Sequence, residues 1–420
     1  MSVFDPYLGF TSLSLHCDGI NDGTTFTDSA QNFTVTPTSV VTKTAGATLK
    51  YGSAAAFFAS SGVLAISTDA EFGMSTGDWT IEAWVHPTSL AAVGTIIDMH
   101  TGAVADLHLK LKTDGKLEIY NNGTAAISYT STAALSTGVY THIAIAREGA
   151  TTRVFIGGAL DGSYSSVSYS ATAPVKIGRN DGGTDPFIGY MDDIRITKGL
   201  GRYTAAFTPP TEAHPDAGTI HLSTFNGTNG ASTFTEYFNR PWVKQSGTTV
   251  TLSTSYAKFG SAGLRIPINN TGVARLNTNN KLWNLGTGDF TMEAWVYKDV
   301  SSGIQNPNFS VSSSPNVFGI CFGFNSSSNL RVHYSTTGTS STVSSVSSNA
   351  MTDNAWNFCA VSRVGADFHL NLNGTLTTVA GTASALFWNS STYIEGSGGS
   401  ATGFTIDDFR VTKGYARHTP

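Results

Sequence analysis

Three observations predict an all-β fold of two tandem antiparallel β-sandwiches. The chain repeats itself, residues 77–85 reading GDWTIEAWV and residues 288–296 reading GDFTMEAWV. Its repeated motifs alternate polar and apolar residues with the period of a strand. Its composition, with 44 glycines, 11% aromatics and only 13% charged residues, suits strands and tight turns. Helical chains draw instead on Ala, Leu, Glu and Lys, and charged residues ordinarily reach ~25%.

The repeat covers most of the chain and keeps its order. Residues 26–28 (FTD) pair with 234–236 (FTE), and 51–54 (YGSA) with 259–262 (FGSA). Residues 140–147 (YTHIAIAR) pair with 356–363 (WNFCAVSR), and 191–200 (MDDIRITKGL) with 406–415 (IDDFRVTKGY). A repeat this long is a duplicated domain, because solenoid units run about 20–50 residues.

The elements follow in sequence. Residues 1–12 precede the first copy, and the expectation is a docking extension that adds a strand to a partner's sheet edge. The first sandwich is expected over 13–208. Within it, Ile81, Ala83 and Val85 take one face of a strand, and Thr80, Glu82 and Trp84 the other. Residues 107–111 and 116–120 flank Thr113-Asp114-Gly115, which reads as a hairpin. A second hairpin turns at Gly157-Gly158, and its counterpart after 370–372 turns at Asn373-Gly374, the dipeptide favoured in type I′ turns. Residues 209–218 (PPTEAHPDAG) read as a Pro-rich, stiff linker. The second sandwich is expected over 219–420, its Ser/Thr-rich stretch 335–348 forming loops or edge strands. No amphipathic helix is expected.

Charge and cysteine content exclude several classes. A net charge of −5 offers no basic footprint for nucleic acid. No apolar run is long enough to span a bilayer. The N-terminus lacks a basic start and an apolar core, so no secretory signal is expected. Cys17, Cys321 and Cys359 do not recur at matched positions, which argues against a shared disulfide frame and for folding in a reducing cytoplasm. Cys359 aligns with Ile143 and is expected to fill a core position.

Three motifs in each copy resemble the laminin-G-like, concanavalin A-like jelly-roll superfamily. They are the opening LHCDGIND (15–22) or LSTFNGTNG (222–230), the GD(W/F)T(I/M)EAWV strand, and the closing DD(I/F)R(I/V)TKG strand. The tail ITKGLGRYTAAFTPPT (196–211) and the DPY start (5–7) are most similar to the version in bacteriophage virion proteins, in tails or capsid decorations. The second copy departs from this pattern, stopping at YARHTP and opening with Phe225-Asn226-Gly227 where the first has Cys17-Asp18-Gly19. The resemblance implies two stacked antiparallel sheets, on a scaffold that hosts lectins, glycosidases and interaction modules alike.

Candidate sites are few. Retaining glycosidases need two carboxylates about 5–5.5 Å apart, and no E-x-D-x-x-E-type strand supplies them. On a regular strand Asp192 would share the face of Ile194 and Ile196, with Asp193 and Arg195 on the other, so neither Asp192-Asp193 nor Asp407-Asp408 forms a catalytic pair. The expected role of Asp192 and Asp407 is to accept hydrogen bonds from a nearby loop. The alternative is a structural Ca²⁺ site, with Asp18, Asn21 and Asp22 joining Asp192, and Asn226, Asn229 and Asp407 in the second copy. Glu82 with Arg147, and Glu293 with Arg363, are expected as cross-strand ion pairs. Glycan-binding loops are expected at residues 98–106 (Asp98, His100, Asp106), at 179–185 (Arg179, Asn180, Asp181, Asp185), and at 389–400 with Tyr393. No metal-spaced histidines, nucleophile elbow or phosphate loop is present.

The functional expectation is a non-enzymatic virion surface protein, a capsid decoration or tail-fibre component. It would assemble in the host cytoplasm, contact other virion proteins as a homo-oligomer, and stabilise the particle, bind host glycans, or both. It would bind neither nucleic acid nor membrane, and the only cofactor considered is Ca²⁺. The alternatives are a polysaccharide-degrading enzyme or its carbohydrate-binding module, and a bacterial adhesin.

Overall fold

The computed structural model of the chain describes all residues except 1–3, 6–7, 31–32, 46–48, 101–105, 122–125, 215–216, 236–240, 245–249, 267–273, 277–282, 300–307, 315–316, 326, 339–341, 389–392, 398–402 and 420. The fold is nearly all β, in sandwich-like antiparallel sheets. It divides into two units, Phe10–His214 and a second made of Met1–Gly9 with Pro215–Pro420. Among the described residues the helical segments include the short 3₁₀ turns Leu8–Phe10 and Ala70–Phe72. None is long and apolar enough to cross a membrane.

In the first domain, one layer runs Ala159–Ser165, Thr151–Ile156, Thr141–Glu148, Trp79–Pro87 and Gly189–Lys198, neighbours antiparallel. Thr11–Leu15 joins it beside Gly189–Lys198. The other layer runs Ala173–Ile177, Gly94–Asp98, Leu107–Leu111, Lys116–Asn121 and Ala126–Ala134. The long strand Ala55–Asp69 serves both, pairing through 56–58 with Gly189–Lys198 and through 64–69 with Ala173–Ile177. Ile81, Ala83 and Val85 face inward with Ile143, Ile145 and Ile194, forming the core as the alternation requires. Glu82 and Trp84 therefore lie on the outer face.

The second domain repeats the main layer. Its order is Ala217–Ser223, Phe404–Lys413, Phe290–Lys298, Ala355–Val364, Asp367–Leu372 and Thr375–Ala380. A five-stranded sheet places Thr342–Ala350 at one edge and Tyr393–Ser397 at the other. Both expected hairpin turns form with left-handed backbone, Gly157 and Gly158 at φ 60° and 80°, and Asn373 and Gly374 at φ 54° and 85°. Cys359 is fully buried, as Ile143 almost is, and all three cysteines are free.

Two segments are placed differently from expectation. Phe4–Asp5, in the extension read as a docking arm for a partner, pairs in parallel with the chain's own Ala217–Ser223 strand. Residues 209–214, read as part of a spacer, close onto the first domain. The Tyr51 hydroxyl donates to the Pro210 carbonyl, and His214 is buried. The prolines hold the segment extended, but its histidine has carboxylates to meet, and that contact outweighs the loop-like composition.

Candidate functional site

The outer face is organised by a β-bulge in each closing strand. Asp193 and Asp408 adopt left-handed backbone, φ 48° and 47°, which short polar side chains tolerate best. The extra residue shifts the register, so that Asp192 stands opposite Trp84 and Arg195 opposite Glu82. Asp192 thus lies on the outer face with Arg195, not on the inward face of Ile194 and Ile196 as a regular strand would have it. The same shift sets Asp407 opposite Trp295 and Arg410 opposite Glu293.

Asp192 and Asp407 hold the same loop in their two domains. Asp192 accepts from the backbone N–H groups of Lys50 (3.2 Å), Tyr51 (3.1 Å) and Asp193 (2.8 Å). Asp407 accepts from Lys258 (2.8 Å), Phe259 (2.9 Å) and Asp408 (2.8 Å). The held loop sets Lys50 3.7 Å above the Trp84 ring and Lys258 4.0 Å above Trp295. Burial raises the Asp192 carboxyl to about 7 and the Asp407 carboxyl above its usual range.

The oxygens considered for Ca²⁺ are spread over separate loop-closing bonds. Asp18 accepts from the Ser53 N–H and hydroxyl and from the Ala54 N–H. Asn21 accepts from Thr44 N–H, Asp22 pairs with Lys43, and both oxygens of Asp192 hold backbone amides. In the second domain Asn226 accepts from Ser261 N–H and Asn229 from Thr254 N–H. Among the described residues, no group of three or more His, Cys, Asp or Glu is arranged to hold a metal ion.

The expected ion pairs do not form, because partners in the register lie elsewhere. Ala144 stands opposite Glu82, while Arg147 stands opposite Trp79 on the inward face. Arg147 donates to the carbonyls of Gly149, Ser75 and Val167, closing the end of the core. Arg363 likewise lies opposite Phe290 and donates to the Gly286 and Gly288 carbonyls. Odd spacing from the residue facing the glutamate puts each arginine on the wrong side of the sheet.

Glu82 instead meets partners from three other segments. Arg202 Nη1 lies 3.0 Å from Oε1 and the Tyr203 hydroxyl donates to Oε2 at 2.6 Å. His142 Nε2 and His214 Nε2 lie 3.5 and 3.6 Å from Oε2. His214 also places Nδ1 2.7 Å from Asp193, whose other oxygen is 3.1 Å from His16 Nδ1. Burial opposes the charge on Glu82, yet Arg202 and then His214 hold it well below the carboxylate range. Burial likewise opposes Asp193, while His16 and His214 lower it. His214 is raised despite burial, chiefly by Glu82 and by contact with Asp193. In the second domain His418 Nε2 lies 2.6 Å from Glu293 Oε2, with Arg417 Nε at 3.2 Å and Arg410 at 3.5 Å. The histidines and tail arginines of these clusters were not singled out from sequence. The recurring tail pairs Arg202-Tyr203 and Arg417-His418 were the available signal.

The expected glycan loops of the first domain are partly brought together. Asp98 accepts from Asp181 N–H (2.8 Å) and His100 N–H (3.2 Å), and Lys176 pairs with Asp181. Lys110 lies 2.8 Å from Asp185, and Asn180 is bonded to Thr184 and half exposed beside Arg179. Asp106 is drawn away, accepting from Ser170 N–H. Burial raises both Asp98 and Asp106. Tyr393 begins the strand Tyr393–Ser397 rather than a loop, and the flanking residues 389–392 and 398–400 lie outside the described ones. A cavity of about 250 Å³ opens nearby between Ser60, Ser89, Gly94, Leu111 and Phe187, with no carboxylate in its lining.

The chain is similar to domain 4 of AbnA, a GH43 extracellular arabinanase from Geobacillus stearothermophilus, at 18% identity over 45% of this chain and 92% of that one, with a TM-score of 0.36. It is similar to the LG4-5 domains of mouse laminin α1 at 11% identity, over 82% of this chain and 86% of that one, with a TM-score of 0.26. A SAP-like pentraxin from Limulus polyphemus is similar at 19% identity over 30% of this chain and 67% of that one, TM-score 0.26. No curated protein matches the chain in sequence. The family model of the concanavalin A-like lectin/glucanases superfamily matches twice, at residues 58–200 and 269–417. With one match in each sandwich, the chain belongs to the concanavalin A-like lectin/glucanases superfamily.

Proposed function

We propose that this chain is a non-enzymatic surface protein of a bacteriophage virion, a capsid decoration or tail-fibre component, whose lectin-like domains bind host glycans and help to stabilise the particle. The observation that carries the non-catalytic part is the engagement of the first domain's outer-face acids. Glu82 and Asp192 are completely buried and Asp193 is 2% exposed, each held by protein partners and out of reach of a substrate. The phage context is supported by the tail 196–211 and the DPY start, and the lectin-like role by the family. The half-exposed polar rim of Arg179, Asn180 and Asp185 in the first domain is the surface this reading assigns to sugar hydroxyls. Other virion proteins and further copies of the chain are the proposed partners, and repetition on a particle would convert weak single-site binding into avidity.

The test is affinity electrophoresis in host surface polysaccharide, run beside a reducing-sugar assay. Retardation that weakens in Asn180→Ala, without sugar release, is the expected result. Sustained release by purified protein would reject the non-enzymatic reading. Labelled particles viewed by electron microscopy test the virion location separately.

A further inference from the structure

The outer faces of the two domains are built alike up to one point, where they diverge. In both, the tail arginine donates its backbone N–H to a strand threonine, Arg202 to Thr80 Oγ1 at 2.9 Å and Arg417 to Thr291 Oγ1 at 2.8 Å. In both, the next residue reaches the glutamate. Beyond it, the first domain's chain crosses its own sheet as a strap. Phe207 donates its N–H to the Gly158 carbonyl at 2.9 Å, and its ring stacks on Tyr203 with centroids 3.6 Å apart. Pro210 then meets Tyr51, and His214 ends on Asp193.

Among the described residues, the counterparts of that path in the second domain are open. A Cβ on Gly158 would overlap the Phe207 carbonyl, whereas one on Gly374 would have nothing within 4 Å. Phe259, the counterpart of Tyr51, is 48% exposed. Trp295 and Phe358 are half-buried where Trp84 and His142 are buried. The Asp408 side chain is 28% exposed against 1% for Asp193, and among the described residues its nearest cation is Arg410 at 3.9 Å.

We propose that this face of the second domain is a docking surface for an extended segment of a partner protein with the chemistry of residues 207–214. That chemistry is an aromatic anchor, a proline pair, and an imidazole or other cation at the far end. The first domain supplies the precedent, since matched positions there carry such a segment in place. Prolines keep the segment extended before it binds, which lowers the ordering cost. The aromatic ring would lie over Gly374 and the half-buried Phe358, covering apolar surface there. The cation would meet Asp408, a partly desolvated carboxylate that gains from a close opposite charge. The proposal stands independently of any glycan bound at the first domain's rim.

A synthetic peptide of residues 204–214, titrated into the full chain by calorimetry, tests it. One saturable site is expected, weakened about tenfold by Asp408→Asn in the protein, the range for losing a charged hydrogen-bond partner. Peptides with alanine in place of Phe207 or of His214 should each weaken binding similarly, and they leave the protein's folding untouched. Absence of saturation would overturn the proposal. So would binding indifferent to Asp408→Asn, because that would mark displacement of the first domain's own strap. An oligosaccharide that shifts the Gly374 amide resonance while the peptide leaves it unmoved would also overturn it.

Discussion

The first domain's outer face is closed and the second's is half open, although the same strands, the same bulge and the same glutamate build both. The Glu82 side chain has no exposure and that of Asp193 has 1%, while the side chains of Glu293 and Asp408 retain 8% and 28%. The residues that make the difference are the strap from Tyr203 to His214 and His16, which lie outside the strands, and His142 on the strand Thr141–Glu148. A duplicated sandwich can therefore keep its core and vary what it covers, because the outer face answers to tails and loops rather than to the hydrophobic alternation.

The largest expected contrast is between the two glutamates. Removing one partner from a buried charge cluster typically costs about 3–5 kcal/mol, so Glu82→Gln should strongly lower the first domain's unfolding transition. Glu293→Gln, partly solvated, should cost about 1–2 kcal/mol by comparison. Denaturant unfolding followed by calorimetry measures both, and equal losses would erase the distinction between the faces. Next come the matched glycines. Gly158→Ala and Gly374→Ala carry the same left-handed backbone strain, at φ 80° and 85°. Only the first must push the strap aside, so its excess cost, about 1–3 kcal/mol for overpacking, isolates the strap, and limited proteolysis after residue 203 should accelerate in that variant alone.

The smallest contrast is in pH. His214 is raised by Glu82 and Asp193, so its stabilisation is complete below about 6.5 and fades as pH rises through its folded value. Asp192, lifted to about 7 by burial, adds a loss of the same sign as pH climbs toward that value. Glu82 and Asp193 are depressed, so their contributions are lost only at acid pH, below the usual carboxylate range. The first domain's melting temperature should fall by a few degrees between pH 6 and 9. His214→Asn should be less stable at pH 6 and show a flatter slope. A slope unchanged by that substitution would remove His214 from the account.

How much was legible varies by residue. Ile81, Ala83 and Val85 could be assigned inward because alternation is written in neighbouring positions. The turns at Gly157-Gly158 and Asn373-Gly374 were equally local. The role of Asp192 as a loop anchor was within reach, since a buried carboxylate needs donors, but its face was misread because the bulge at Asp193 breaks the period. The pairing of Glu82 with Arg147 failed for a related reason: cross-strand register depends on how two distant segments align, and a shift of one residue exchanges faces.

The strand class, the inward residues and the turn positions were set by short-range pattern, since each depends on residues a few positions apart, and the duplication was written in the repeated motifs themselves. Which charges meet, by contrast, was settled when segments remote in sequence converged. His16, His142, Arg202 and His214 have no common spacing, and only the folded sheet brings them to Glu82 and Asp193. Burial then makes the meeting decisive, because in a desolvated place every charge must find a partner or be given up.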